Sequence, residues 1–259
     1  MVRREKANYV IQSVSHALDV LEQFNGTVDE IGVTELSKRL KLHKNNVFRL
    51  LATLEARSYI EQNKASENYR LGLKCLQLGQ TFIHQMGLLL QSKAVLVELS
   101  KATQESAYVA IRKSDAIIPL DFVEPERPVR VVSFLGTVLP AHCTAAGKAH
   151  LTFELESAAG QNLPADLERY TANTITDQNV LRDQIIMIGE SGYAVERGEF
   201  AEGVNAVAVP IRDYTRSLVG TLAVVGPENR LSDEAINAEI APVLLKAGSE
   251  LSKRLGFPG

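Results

Sequence analysis

The stretch from Val33 to Leu54, VTELSKRLKLHKNNVFRLLATL, constrains this chain more than any other. Its spacing predicts two short helices joined by a tight corner. In the first, Val33, Leu36 and Leu40 share one face, and Thr34 is placed to cap it. Leu42 is apolar inside the corner Lys41-Leu42-His43, which pins the corner to a core. In the second, Val47, Leu50, Leu51 and Leu54 form one apolar stripe. Asn45, Arg49 and Ala52 project from the opposite side, flanked by Asn46 and Phe48. A helix that buries its stripe and presents Asn and Arg outward is the arrangement of a helix-turn-helix. Asn and Arg suit that work because each can make two parallel hydrogen bonds, Asn to adenine and Arg to guanine. A plain helical hairpin with solvated Asn and Arg fits this stretch equally well; its neighbours separate the two readings.

Upstream, Val14, Ala17, Leu18, Leu21 and Phe24 repeat at helical spacing, with Ser13 as a cap and Asn25-Gly26 as a stop. Residues 1–9, with Arg3, Arg4 and Lys6, read as a disordered polar arm. Downstream, Tyr59 to Gln62 and Tyr69 to Leu71 are β-prone runs around the turn-rich Asn63 to Asn68, which predicts a hairpin. Three helices and a hairpin make a winged helix-turn-helix. A wing carrying Lys64 and Arg70 would lie along a DNA backbone. Residues 1–80 hold 12 basic against 9 acidic side chains, on a chain whose net charge is −3. That excess suits an anionic partner for the first third alone.

Gly72 to about Ala102 is helical in pattern and interrupted by Gly79 and Gly87. Its first half is apolar on more than one face, including Leu76, Phe82 and Ile83, as a connecting helix that pairs with a second copy would be. Strands are expected at Ala107 to Arg112, Ala116 to Val123 and Val129 to Val132. A small-residue loop, Leu139 to Gly147, then runs into a helix, with His142 and Cys143 placed on strand-like backbone. A helix over 177–191 opens at Thr176 or Asp177. Strands follow at Gly192 to Glu196, Val204 to Ile211 and Leu218 to Val225, and a last helix runs from about Ser232 to Leu255. The fold class is α+β.

Composition narrows the function. No apolar run approaches the roughly 20 residues of a membrane span, and the start MVRREKANYV lacks the apolar core of a secretory signal. A cytoplasmic protein is expected. Cys75 and Cys143 stand far apart with no CxxC, and the five histidines show no metal-binding spacing. No cofactor, metal or catalytic residue is expected. An enzyme built on the C-terminal half needs a nucleophile with a base, or an acid–base pair, and neither is legible. A thiol redox sensor acting through Cys143 is a further alternative.

The segments SVSHALDVLEQF, LLATLEARSYIEQ, NYRLGLK, LPAHCTAAGKA, TITD, ESGYAVERGEF, AEGVNAVAVPIRD and TLAVVGP, in this order, resemble the IclR family of bacterial transcriptional regulators. The resemblance covers nearly the whole chain. It implies a winged helix-turn-helix over 1–71, a linker helix over 72–90 and a GAF-like effector-binding domain over 91–259. It implies homodimers or homotetramers and, more often than not, repression, here of a catabolic operon that a small effector controls. DNA contact is expected from Asn45, Asn46 and Arg49 on base edges, with Lys44 and Lys64 on phosphates. The DNA would be double-stranded and pseudo-palindromic.

Departures from the family pattern shape the effector expectation. Ala206 stands where many members have Cys, Ala223 and Val225 where many have Ser, and Glu196 where Asp is common. The loop Thr144-Ala145-Ala146-Gly147 is retained, and a helix start of small residues favours a carboxylate or phosphate. Thr144 as a simple helix cap, and Lys148 as a solvated side chain, are the plainer readings of that loop. The expected ligand has an anionic or polar end at Thr144–Gly147 and an apolar body against Ala206, Ala223 and Val225. An aromatic or short aliphatic carboxylate fits. Glu196 either meets a hydroxyl or amine of that ligand or turns away to pair with Arg197 or another base.

Overall fold

A two-way backbone bridge between Ile31 and Tyr69, with N···O distances of 2.9 and 3.0 Å, organises the front of the chain. It is seen in a computed structural model that describes residues 10–24, 28–85, 87–156, 163–164 and 166–258. The chain divides into two compact units, meeting between residues 85 and 86.

The first unit contains α1 (Gln12–Leu21), α2 (Val33–Leu40) and α3 (Lys44–Ala56), then β1 (Ile60–Gln62), β2 (Tyr69–Leu71) and α4 (Leu73–Gln85). Its core gathers Val20 and Phe24 with Leu36, Val47, Leu51, Ile60 and Tyr69. Val47, Leu51 and Leu54 of the α3 stripe are buried as their spacing predicts, whereas Leu50 and the corner residue Leu42 pack half-buried. Two expected caps are corrected. The chain leaves the Ile31 bridge directly into α2, so extended Gly32 precedes the helix and Thr34 lies inside its first turn. α1 likewise starts two residues early, at Gln12 with Ile11 before it, and Ser13 lies inside its first turn. The α1 stripe also differs: Val20 is its fully buried residue, whereas Val14 and Leu18 are exposed. The helix is apolar on two sides, and only the side carrying Ala17, Val20 and Leu21 meets α2 and α3. The expected stop at Asn25-Gly26, the arm over 1–9 and the side chains of Phe82 and Ile83 lie outside the described residues. Gly79 does not break α4.

The second unit is a three-layer α+β domain. After α5 (Gly87–Thr103) come β3 (Ser106–Lys113), β4 (Ala116–Val123), β5 (Leu139–Pro140) and α6 (Ala145–Glu156). Then follow α7 (Gln178–Ser191), β6 (Ala194–Arg197), β7 (Val204–Arg212) and β8 (Leu218–Pro227). A short α8 (Asp233–Ala235), a π-helical turn over Ile236–Ile240 and α9 (Ala241–Arg254) close the chain. The sheet is antiparallel throughout, in the order β5-β4-β3-β8-β7-β6. One face packs on α5 and α9 through Val109, Val207, Leu222 and Val224. The other packs on α6 and α7 through Tyr108, Ala206, Ala208, Ala223 and Val225. Alternation along β7 and β8 therefore sends successive side chains into two different cores, which is why both strands read as unbroken apolar runs.

The strand expected at Val129–Val132 does not form. Val129 and Val132 are exposed, and the outer edge of β4 pairs instead with Leu139 and Pro140. Polar ties hold the segment as a loop: the Ser106 hydroxyl donates to Val131 O at 2.6 Å, and Arg230 donates to Val129 O. Only Val131 and Phe134 turn into the core. Among the described residues, no helix is long and apolar enough to cross a membrane.

Candidate functional site

Two places in the chain collect the expected site residues. The first is the outer side of α3. Burial of Val47, Leu51 and Leu54 leaves Lys44, Asn45, Asn46, Phe48 and Arg49 exposed. The corner that aims α3 is fixed twice over. The Leu42 N–H donates to Ser37 O at 3.1 Å, the Ser37 hydroxyl donates to Leu42 O at 2.6 Å, and Lys41 takes the left-handed backbone between them (φ 54°).

The hairpin has its own organiser, which sequence reasoning missed. Glu30 accepts from Asn63 Nδ2 and from the Ser66 hydroxyl, each at 2.7 Å, and the Asn63 side chain accepts from the Ala65 N–H. Those hydrogen bonds hold the Glu30 carboxyl below its usual pKa. Lys64 sits exposed between the residues so tied. Arg70, expected on the same wing, is half-exposed and pairs with Glu61 across the ladder at 2.7 Å.

The second place is the start of α6, over the sheet face that carries Ala206, Ala223 and Val225. Strand register sets a row of residues side by side. Glu196 lies opposite Ala206, Ala206 opposite Val225, and Val225 opposite Ser106. One step along, Ala194, Ala208, Ala223, Tyr108 and Phe122 form the next row. The Tyr108 and Phe122 rings stack at 5.9 Å, and Phe134 meets both edge-on.

Thr144 is the α6 cap. Its Oγ1 accepts from the Gly147 N–H at 3.2 Å and donates to Pro140 O at 2.7 Å. Gly147 has to be glycine, because a Cβ there would lie 2.0 Å from the Ala141 carbonyl oxygen. Ala145 and Ala146 are fully buried. The helix start is not left open: the Ala145 N–H points at Glu196 Oε2 (3.4 Å), and Glu196 Oε1 accepts from the Phe200 N–H at 3.2 Å. Glu196 does not turn out to Arg197, whose guanidinium pairs with Asp233 at 2.6 Å.

Burial raises the Glu196 pKa to about 7, against the lowering pull of the Phe200 N–H and Lys148. Lys148, expected in solvent, is fully buried. Its Nζ lies 2.6 Å from Glu199 Oε1 and 3.1 Å from Gln184 Oε1. Its partner lies 51 residues away in sequence, so local pattern carried no signal for it. His142 and Cys143 lie in a turn rather than a strand. The His142 ring is within 2.9 Å of Glu168 O, and Cys143 is fully buried. Burial, with Glu196 and Glu199 nearby, pushes the Cys143 thiol up to about 12. A thiol so held makes almost no thiolate at neutral pH, which counts against a redox sensor.

With this geometry in place, comparison with known proteins is direct. Residues 13–64 match the IclR helix-turn-helix domain, and residues 80–253 match the domain described as bacterial transcriptional regulator IclR C-terminal. The HTH-type transcriptional regulator XynR of Escherichia coli (strain K12) is 31% identical over 254 residues, spanning 96% of this chain and 99% of its own. The HTH-type transcriptional repressor AllR of Salmonella typhimurium (strain LT2) is 27% identical, spanning 95% and 90%. An IclR transcriptional regulator from Silicibacter sp. TM1040 superimposes with a TM-score of 0.78 at 30% identity, covering 95% of this chain and 96% of that one.

Proposed function

The chain belongs to the IclR family of bacterial transcriptional regulators, and from that premise we propose how this member reads DNA and what it senses. It is a DNA-binding transcriptional regulator. The proposed division is a DNA-binding part over 1–71, a linker over 72–90 and an effector-binding part over 91–259. It works in the cytoplasm as a homodimer or homotetramer, on a pseudo-palindromic site in double-stranded DNA. It represses a catabolic operon and carries out no chemistry of its own. AllR, named a repressor, supports that sign of regulation.

One observation carries the DNA reading: α3 buries its stripe and leaves Asn45, Asn46 and Arg49 outward on a pinned corner. These three reach base edges, while Lys44 and Lys64 meet phosphates. Arg49→Ala should cost roughly 1–3 kcal/mol on the preferred site and blur its sequence. Lys64→Ala should weaken all sequences alike and flatten the salt dependence. Unchanged affinity and sequence preference in Arg49→Ala would refute the assignment of α3.

The effector lies along the row from Glu196 past Ala206 and Val225, with Ala223 beside it. Its polar end faces Thr144–Gly147 and its body is apolar, as in an aromatic or short aliphatic carboxylate. Ala145 already points its N–H at Glu196, so that end also meets the Glu196 carboxyl. A carboxylate effector is accommodated there by a protonated Glu196, which donates to it.

A further inference from the structure

We propose that α1 supplies a second DNA contact: Gln12, Ser13 and His16 seat the phosphodiester backbone that borders the major groove entered by α3. The proposal rests on the reading of α3 as the recognition helix. A groove of about 530 Å³ runs between the two helices. Gln12, Ser13 and His16 line it from α1, and Asn46, Arg49 and Thr53 from α3.

Leu42 and Leu50 also line the groove and are apolar, and its polar groups lean toward donors. None of the lining residues is a carboxylate. Gln12, Ser13, His16, Asn46 and Arg49 all carry N–H or O–H donors, and Arg49 adds a full positive charge. Gln12 and Ser13 are exposed and His16 is half-buried. Thr53 is the exception, since its hydroxyl donates to Arg49 O at 2.8 Å. Donors without an acid, arranged around a guanidinium, select an anion with several acceptor oxygens, as a phosphodiester has.

Position makes that anion the DNA backbone. A helix with its side chains is about 10–12 Å across and the major groove about 12 Å wide. A helix seated there has a sugar-phosphate chain along each flank. Asn46, Arg49 and Thr53 line the groove over about two turns of α3, so it runs alongside α3 rather than beyond its end. Phosphate contacts of this kind fix register and orientation and carry no sequence information themselves. α1 therefore sets how Arg49 and Asn46 meet base edges.

The test uses the full chain and a labelled 30-base-pair duplex carrying its preferred site, titrated by fluorescence anisotropy between 50 and 200 mM salt. Gln12→Glu should weaken binding about tenfold or more at the low-salt end. Gln12→Lys should tighten it and steepen the salt dependence, by a slope approaching 0.9 for one added phosphate contact. Gln12→Ala/Ser13→Ala/His16→Ala should weaken binding severalfold with no change in melting temperature. Arg49→Ala is the reference. If it weakens binding while every α1 variant stays within twofold of the parent, the α1 seat is wrong and the recognition helix stands. If neither it nor the α1 variants change binding, both readings fall.

Discussion

Lys148 Nζ lies 2.6 Å from Glu199 Oε1, with the lysine fully buried beneath α6 and the glutamate almost so. Among the described residues Glu199 Oε2 has no hydrogen-bond partner, and Oε1 accepts only the Arg197 N–H (3.4 Å) besides Lys148, so the ammonium is this carboxylate's compensating charge. Removing one member of a buried pair leaves an uncompensated charge, which costs about 3–5 kcal/mol. Lys148→Met should lower the stability of the C-terminal unit by that order in urea unfolding. Lys148→Met/Glu199→Leu should recover most of the loss, because replacing both charges with apolar groups is often neutral. A single variant within about 1 kcal/mol of the parent would show the pair to be hydrated.

Glu196 and His150 give the stability an unusual pH dependence. Burial raises Glu196 to about 7, so its contribution is complete below its ordinary value of 4.5 and is lost as pH rises through 7. Burial, with Arg112 nearby, lowers His150 to about 4, so its contribution is complete above 6.5 and is lost as pH falls through 4. Each changes stability by up to about 1.4 kcal/mol per pH unit, and between roughly 4.5 and 6.5 the two run in opposite directions. Glu196→Gln removes one side of that balance. Urea midpoints of the variant should fall as pH drops from 6.5 to 5, while the parent stays nearly level. Parallel profiles for parent and variant from pH 5 to 8 would contradict the burial of Glu196.

Cys143 should be unreactive. Its thiol is buried and pushed up to about 12, and only the thiolate attacks. In the folded protein at pH 7.5, a maleimide should label the half-buried Cys75 first and reach Cys143 only on denaturation. Cys143→Ser should leave DNA binding unchanged in the presence of peroxide. Rapid stoichiometric labelling of Cys143 under native conditions would revive the redox alternative.

The sequence and the structure agree where a residue's fate depends on near neighbours. Val47, Leu51 and Leu54 announce their burial through period alone, and so α3 and its polar side were legible. The turn between β3 and β4 and a cap of α7 at Thr176 or Asp177, which the structure places at Asp177, were legible for the same reason. Legibility ends where a distant partner decides. Val129 to Val132 has strand-forming residues, but Leu139 and Pro140 take the edge it would need. Lys148 looks like a surface lysine until Glu199 and Gln184 close on it. Glu196 is an expected site residue on its sequence alone, whereas its hydrogen bond from Ala145 follows from the packing of α6 over β6. The Glu30–Asn63–Ser66 tie of the wing joins residues more than 30 apart, and no local pattern marks it.

The apolar floor of the proposed effector row yields the last prediction. Ala223 lies opposite Tyr108 and Val225 opposite Ser106, with both side chains facing α6 and α7. Placing a hydroxyl at either position without a partner costs about 1–3 kcal/mol, whereas a ligand hydroxyl within reach would satisfy it. Ala223→Ser/Val225→Ser should therefore melt lower than the parent when free. It should gain more than the parent from hydroxy acids and sugar acids in a thermal-shift panel. The parent should be stabilised by aromatic and short aliphatic carboxylates instead, more strongly at pH 6 than at pH 8. The pH preference follows because a protonated Glu196 donates to the ligand, whereas an ionised one repels it. Stabilisation of the parent by sugar acids alone would overturn the proposed ligand class. A preference for pH 8 over pH 6 would place the carboxylate away from Glu196.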